Sequence, residues 1–212
     1  MKKLHTMRRE YNSGALPEQA MDKDPMTMFA RWLEEAIAVE IEEPNAMTIA
    51  TATPEGRPSA RVVLLKEMGS DGFVFFTNYL SRKGRELAAN PLAALLFDWH
   101  PMARQIRIEG RVEQLSPEES DAYYNSRPEN ARIGAWSSPQ SRVVRDRVEL
   151  DALQREVEQR FAQEPLPRPV HWGGYLVRPT MIEFWQGRPD RMHDRLVYYK
   201  TEEGWSLHRL AP

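Results

Sequence analysis

The chain has 212 residues, 41% of them hydrophobic, which is enough apolar material for one cored domain and excludes global disorder. Its 29 Lys and Arg stand against 31 Asp and Glu, a net charge of -2, so composition gives no electrostatic case for generic nucleic-acid binding and any anion site must be a local cluster. Cysteine is absent, which removes disulfides, zinc–thiolate centres and a catalytic thiol.

Residues 1–23 are polar, carry Gly14 and Pro17, and read as a mobile arm ahead of a single domain at 24–212. The basic start MKKLHTMRREYNSG has no apolar stretch behind it, unlike a secretory signal. No run reaches the roughly 18 apolar residues of a membrane helix, and the expectation is a cytoplasmic protein. A helix is expected from Asp24, a good N-cap, with Pro25 at its first position. Phe29, Trp32, Leu33, Ala36 and Ile37 give it one buried face. "AMTIATAT", "SARVVLLKE" and "FVFFTN", separated by the turns "PEGRP" and "MGSDG", predict a β-meander. "SRKGRELAANP" predicts a short helix capped by Ser81 and stopped at Asn90-Pro91.

Strands are expected to resume in "LAALLFDW" and "RQIRIEGRVEQL", where Gln105, Arg107 and Glu109 alternate with Ile106 and Ile108. "SPEE" from Ser116 is a capping box for a helix through Tyr123 and Tyr124 that ends near "SRPEN". "IGAWSSPQS" reads as loop. Leu150, Leu153, Val157 and Phe161 mark a further amphipathic helix, and "QEPLPRP" is a connector. Four short strands are expected at the end, around Tyr175–Val177, Met181–Trp185, Leu196–Lys200 and Trp205–Leu210. The pattern favours a mainly β, α+β fold, an antiparallel barrel with peripheral helices, and no dinucleotide or Walker loop contradicts that.

No HExxH, GxSxG or close pair of histidines suggests a metal or a nucleophile; His5, His100, His171, His193 and His208 are scattered. Cations instead recur at strand ends and turns. Arg61 and Lys66 flank "VVLL", five apart and so on opposite faces of a regular strand. Ser81, Arg82 and Lys83 open a helix, where free N–H groups and two cations can cradle a phosphate. Tyr123 and Arg127 lie four apart on one helix face, a phenol and a guanidinium suited to a second phosphate. Gln140 and Ser141 follow in a loop. "FWQGRPDRMHDRL", residues 184–196, gathers Arg188, Arg191, His193 and Arg195 among Asp190 and Asp194. Alone it reads as a solvated turn, a metal site or an anion-pocket wall. Three clusters in a near-neutral chain suggest more than one phosphorylated ligand.

These residues, in the order "RVVLLK", "FFTN…SRKGREL", "LLFDWH…RQIRIEGRVEQLS", "YYNSRP…IGAWSSPQS", "WGGYLVRPTMIEFWQG", "RMHDRL" and "LHRLAP", resemble the pyridoxine/pyridoxamine 5′-phosphate oxidases along nearly the whole chain. The resemblance implies an FMN-binding split β-barrel acting as a homodimer, with FMN at the interface. It implies oxidation of pyridoxine 5′-phosphate or pyridoxamine 5′-phosphate to pyridoxal 5′-phosphate, a hydride passing from substrate C4′ to flavin N5. O2 is the final acceptor and gives H2O2, with ammonia released from the amine. Carried over by position, Arg61, Lys66, Phe76, Thr77, Arg82, Lys83, Gln105, Gln140, Ser141, Trp185 and Arg195 match cofactor positions. Lys66, Tyr123, Arg127, Arg191 and His193 match substrate positions, with Arg191 and His193 nearest the chemistry, and Arg8 and Tyr11 match an N-terminal segment that covers the substrate.

Three positions depart from the family pattern. Ala131 stands where a serine usually meets the substrate phosphate, so weaker binding is expected unless Asn130 or Arg132 compensates. Phe76 stands where tyrosine is common, and Arg142 replaces a small residue after Ser141. Two rival readings are a split-barrel flavoprotein with another substrate, and a non-catalytic binder of flavin or pyridoxal 5′-phosphate.

Overall fold

Helix α1 (Pro25–Ala38) starts as its sequence dictates: the Asp24 carboxylate accepts the N–H groups of Met26 and Thr27, and Pro25 needs no partner there. In the computed structural model, which describes residues 3–7, 10–11 and 14–212, this helix packs Met28, Phe29, Trp32 and Ala36 into the main core. Ile37, expected on the buried face, is 56% exposed. The stripe follows Phe29, Trp32 and Ala36, and Ile37 is turned about 100° beyond Ala36.

The strands are β1 (Ala46–Ala52), β2 (Pro58–Leu64), β3 (Glu67–Gly69), β4 (Gly72–Asn78), β5 (Leu92–Trp99), β6 (Arg104–Gln114), β7 (Trp172–Gln186), β8 (Asp194–Thr201) and β9 (Gly204–Arg209). They form one antiparallel sheet in the order β2-β1-β5-β6-β7-β4-β3, with β8 and β9 continuing from the far half of β7. β2 comes back against β4, so the sheet curls on itself. Its concave side holds Ile49, Phe73, Phe75, Leu95, Phe97, Ile106, Ile108, Ile182 and Phe184, all within 1% of full burial.

The two strands expected at Tyr175–Val177 and Met181–Trp185 are a single strand, β7. β6 pairs with it throughout, from Gln114↔Tyr175 to Arg104↔Gln186. Pro179, which has no N–H, is absorbed by a bulge: Gly110 faces Pro179, Glu109 faces Met181, and Thr180 is the extra residue, its hydroxyl donating to the Glu109 carbonyl (3.1 Å). A Cβ at Gly110 would lie 2.2 Å from the Arg178 carbonyl oxygen, so the bulge requires glycine. On its other edge β7 pairs with β4 before the bulge and with β8 after it, and there the sheet splits.

The remaining helices are α2 (Arg82–Ala89), α3 (Pro117–Ser126), α4 (Glu129–Ser137) and α5 (Arg147–Arg160). Ser116 and Glu119 form the expected capping box. α4 corrects the loop expected at "IGAWSSPQS". It buries Ile133 and Ala135, and one interior glycine costs a helix only about 1 kcal/mol. On α5 the stripe Leu150, Leu153 and Val157 has the expected direction but is only half-buried, and Trp136 of α4 meets Phe161 at 5.1 Å. Within the expected arm, Leu16 is buried in the core and Glu18–Ala20 forms a 3-10 turn; Arg8 lies outside the described residues. No described helix is long and apolar enough to cross a membrane.

Candidate active site

Helix α2 begins where β4 ends. Ser81 caps it by accepting the Gly84 N–H (3.3 Å). Just inside that end, Lys83 is 92% shielded and donates to Thr77 Oγ1 (3.0 Å) and Gln140 Oε1 (3.1 Å). Among the described residues no carboxylate pairs with it. Burial, with a smaller push from the Arg61 charge, pulls its pKa down to about 8. Arg61 and Arg82 are held differently. Both converge on Glu86, at 3.5 and 2.8 Å, and Thr51 and Ser59 donate to the same carboxylate. Burial pushes Glu86 up, but bonds from Ser59, Thr51 and Arg82 outweigh it and bring its pKa to about 2. Sequence reasoning missed Glu86, although its spacing of four from Arg82 signals the pair. A buried lysine without a carboxylate, two fixed arginines, a hydroxyl and a helix N-terminus make a donor set that fits a phosphate monoester.

Next to Thr77 on β4, Phe76 stacks on Tyr123 with centroids 3.8 Å apart, and Trp172 lies parallel to both. The Arg127 guanidinium covers the Trp172 ring at 4.6 Å. Arg127 is not on the helix with Tyr123 as expected: it is the residue that ends α3, with ψ of 148°. The Trp172 face, rather than helical spacing, brings it beside the phenol. Its Nη1 is buried without a hydrogen-bond partner. Burial pushes the Arg127 pKa down, opposed by Tyr123 and Tyr124. A buried guanidinium nitrogen without a partner, beside a phenol, fits an anionic ligand. Ala131 is half-buried on the first turns of α4 and contributes no hydroxyl. Lys66 is exposed beyond the end of β2, so the strand-face argument that separated it from Arg61 does not apply. Ser141 is exposed next to Gln140 at a left-handed φ of 68°.

The third cluster is at the other end of β7. Gln105, Trp185 and Arg195 lie in one cross-strand row, Gln105 opposite Trp185 and Trp185 opposite Arg195. Arg195 grips Glu183 through Nε (2.7 Å) and Nη2 (3.1 Å) and donates to the Ala211 carbonyl (3.0 Å). Its bond to Glu183 raises its pKa further. Glu183 is 2% exposed and also accepts from Arg107 (3.0 Å), a role the sequence alternation did not reveal. His193 Nδ1 accepts the Arg188 N–H (3.1 Å), so the neutral ring carries its proton on Nε2. Tyr11 lies edge-on to Trp185 and to His193, each at 5.7 Å. It also fills the space above Gly187, where a Cβ would be 2.7 Å from its ring. Asp190 and Arg191 both have left-handed φ, 54° and 59°, a strained turn that leaves Arg191 exposed. Arg188 approaches Asp194 at 3.8 Å rather than standing free as a solvated turn residue.

The first two clusters adjoin through Phe76 and Thr77. The third begins at the opposite end of β7 from Trp172, beyond the bulge.

A family model described as pyridoxamine 5′-phosphate oxidase matches residues 33–161, and a second, described as a pyridoxine 5′-phosphate oxidase C-terminal dimerisation region, matches residues 172–212. Proteins named pyridoxine/pyridoxamine 5′-phosphate oxidase from Bordetella petrii and Trichormus variabilis are 54% and 53% identical, each over 97% of this chain and 98% and 97% of their own lengths. Among solved structures, PhzG from Burkholderia lata, in complex with tetrahydrophenazine-1-carboxylic acid, superposes with a TM-score of 0.88 at 33% identity, covering 96% of this chain and 100% of its own. An FMN-binding protein from Nostoc punctiforme shares the fold alone, with a TM-score of 0.68 at 17% identity over 94% of this chain and 100% of its own.

Proposed function

Because the chain belongs to the pyridoxine/pyridoxamine 5′-phosphate oxidase family, we propose that it oxidises pyridoxine 5′-phosphate or pyridoxamine 5′-phosphate to pyridoxal 5′-phosphate, with FMN as its cofactor. The observation that carries this reading is the pair of adjoining cation clusters, one around the buried Lys83 and one around the half-buried Arg127 with its buried Nη1, neither of which meets a carboxylate among the described residues. Two phosphate-bearing molecules side by side satisfy both.

In this reading Arg61, Arg82, Lys83, Thr77 and Gln140 hold the cofactor phosphate, with Ser141 and Lys66 nearby. The Phe76 position adds its backbone. Gln105, Trp185 and Arg195 border the flavin ring, and the Arg195 cation, fixed by Glu183, favours negative charge there. Tyr123, Arg127 and Lys66 hold the substrate phosphate, while Arg191, His193 and Tyr11, with Arg8 on the same segment, position its ring. Since His193 Nδ1 is occupied by the Arg188 N–H, its Nε2–H is a donor. It orients a substrate oxygen or nitrogen rather than accepting a proton. When bound, FMN would supply the redox chemistry between substrate C4′ and O2, which is reduced to H2O2; with the amine substrate one water would be consumed and ammonia released.

The separation of the third cluster from the other two supports a homodimer in which each site draws its β7–β8 wall from the partner copy. The C-terminal family model, whose description names dimerisation, covers that wall. A cytoplasmic location belongs to the same proposal.

The test is anaerobic addition of pyridoxine 5′-phosphate to FMN-loaded protein. Bleaching of the flavin spectrum that air reverses, with H2O2 formed, is expected. Binding without bleaching would indicate a carrier or sensor. No response, with bleaching by a reduced phenazine carboxylate instead, would move the chain towards PhzG-like chemistry and overturn the reading.

A further inference from the structure

We propose that Arg132 is a second guanidinium of the substrate-phosphate pocket and takes over the contact that Ala131 cannot make. This rests on the functional reading above. Among the described residues, two buried side-chain nitrogens lack a hydrogen-bond partner, and they are Arg127 Nη1 and Arg132 Nε. Neither arginine takes part in any ion pair of the described residues, although the chain has more acidic than basic groups.

Both arginines border the same buried ring. The Tyr124 hydroxyl donates to the Arg132 carbonyl (3.2 Å). Burial pushes that phenol up, while a bond from Trp136 and the charges of Arg132 and Arg127 pull it back, so both guanidinium groups are within electrostatic reach of it. The segment between them adds to the attraction. Helix α4 starts at Glu129 behind Pro128, whose ring has no polar atom to cap it; the Ala131 and Arg132 N–H groups bond the Pro128 carbonyl (3.0 and 3.1 Å), and the positive end of the helix still faces this segment. Buried donors are nearly always satisfied in a working protein, and a phosphate suits two guanidinium groups that each keep one buried nitrogen without a partner. Ala131, one residue earlier, offers only a methyl group, and an arginine next to it reaches further than a serine hydroxyl would.

The experiment measures binding of 4-deoxypyridoxine 5′-phosphate and of 4-deoxypyridoxine, neither of which can be oxidised, to the FMN-loaded protein. Arg132→Ala should weaken the phosphorylated ligand about tenfold or more and leave the unphosphorylated one within about twofold. Adding Ala131→Ser to that variant should recover most of the loss. An unchanged affinity for the phosphorylated ligand overturns the inference, and so does an equal loss for both ligands, which is what a purely structural arginine would give. If Arg132→Ala fails to fold, Arg132→Lys is measured instead. It keeps the charge without the fork, and a severalfold loss confined to the phosphorylated ligand is expected. If the unaltered protein binds both ligands alike, the functional reading itself fails first.

Discussion

The two ends of β7 treat their positive charges in opposite ways. At the Trp172 end, Lys83 and Arg127 are buried or half-buried with no carboxylate partner among the described residues, and Arg127 Nη1 is buried without a hydrogen-bond partner. At the Trp185 end, Arg195 is forked on Glu183, and Arg209 bridges Glu18 and Asp194, both at 2.6 Å. Unpaired cations are destabilising until an anion arrives, so in the proposed function these are the groups that hold phosphates. Paired cations are fixed in place, and in the proposed function they border the flat flavin ring rather than a phosphate. Even the first end is mixed, since Glu86 pins Arg61 and Arg82 and leaves Lys83 as the one buried side chain of the set that needs a ligand's charge.

The contrast is broken most severely by Lys83→Met, which keeps the volume and deletes the charge. Cofactor affinity should fall by about 100-fold, close to 3 kcal/mol, as judged from quenching of flavin fluorescence. The cofactor-free protein should melt at the same temperature or higher, because a desolvated ammonium is gone. A lower melting point with unchanged cofactor affinity would mean that Lys83 is structural.

A second test asks whether the two ends serve one site across two chains. Lys83→Met and Arg195→Ala proteins, each nearly inactive, should regain about a quarter of full activity when unfolded and refolded together. Random pairing makes half of the dimers mixed, and each mixed dimer has one intact site of two. No recovery would place both clusters within one chain's site.

The extent to which this was legible from sequence differs between the same two ends. Cluster membership was readable where residues are neighbours in the chain: Ser81, Arg82 and Lys83, or Trp185 and Arg195 on the arms of a hairpin. The carboxylates that decide which cations are free were not readable. Glu183 sits on a strand where alternation says only which face it shares, and its burial depends on Arg107 and Arg195 arriving from two other strands. The long β7 was misread as two strands because Pro179 looks like an end. Only the continuous partner β6, with its glycine bulge, shows that it is not. The helix at Glu129–Ser137 was hidden by Gly134, whose local penalty is outweighed by burying Ile133 and Ala135.

A milder test uses pH. Lys83 has its pKa lowered to about 8, against about 10.5 for an exposed lysine. The folded, cofactor-free protein therefore releases this proton before the unfolded chain does. On this group's account its stability rises between pH 8 and 10.5, where the unfolded state binds more protons. Cofactor binding must run the other way, because the phosphate needs the charged ammonium. Affinity should be flat from about pH 7, where the phosphate is a dianion, to pH 8 and decline above it, and the decline should be absent from Lys83→Met. A pH-independent affinity up to pH 10 would show that cofactor binding does not depend on the charge of Lys83.

The smallest expected effect concerns Ala131. A hydroxyl restored by Ala131→Ser can add one neutral hydrogen bond, worth about 0.5–1.5 kcal/mol if the phosphate there still lacks a partner. If Arg132 already occupies that side of the phosphate, the gain in the otherwise unaltered protein should stay below about 0.5 kcal/mol, roughly a twofold change in affinity. In an Arg132→Ala background the same serine should deliver the full amount. The difference between the two backgrounds is a coupling between neighbouring side chains, read from a double-mutant cycle on the phosphorylated ligand. Strict additivity, with the serine worth the same in both, would mean that the methyl group of Ala131 faces an unfilled gap and that the arginine beside it holds nothing the serine would.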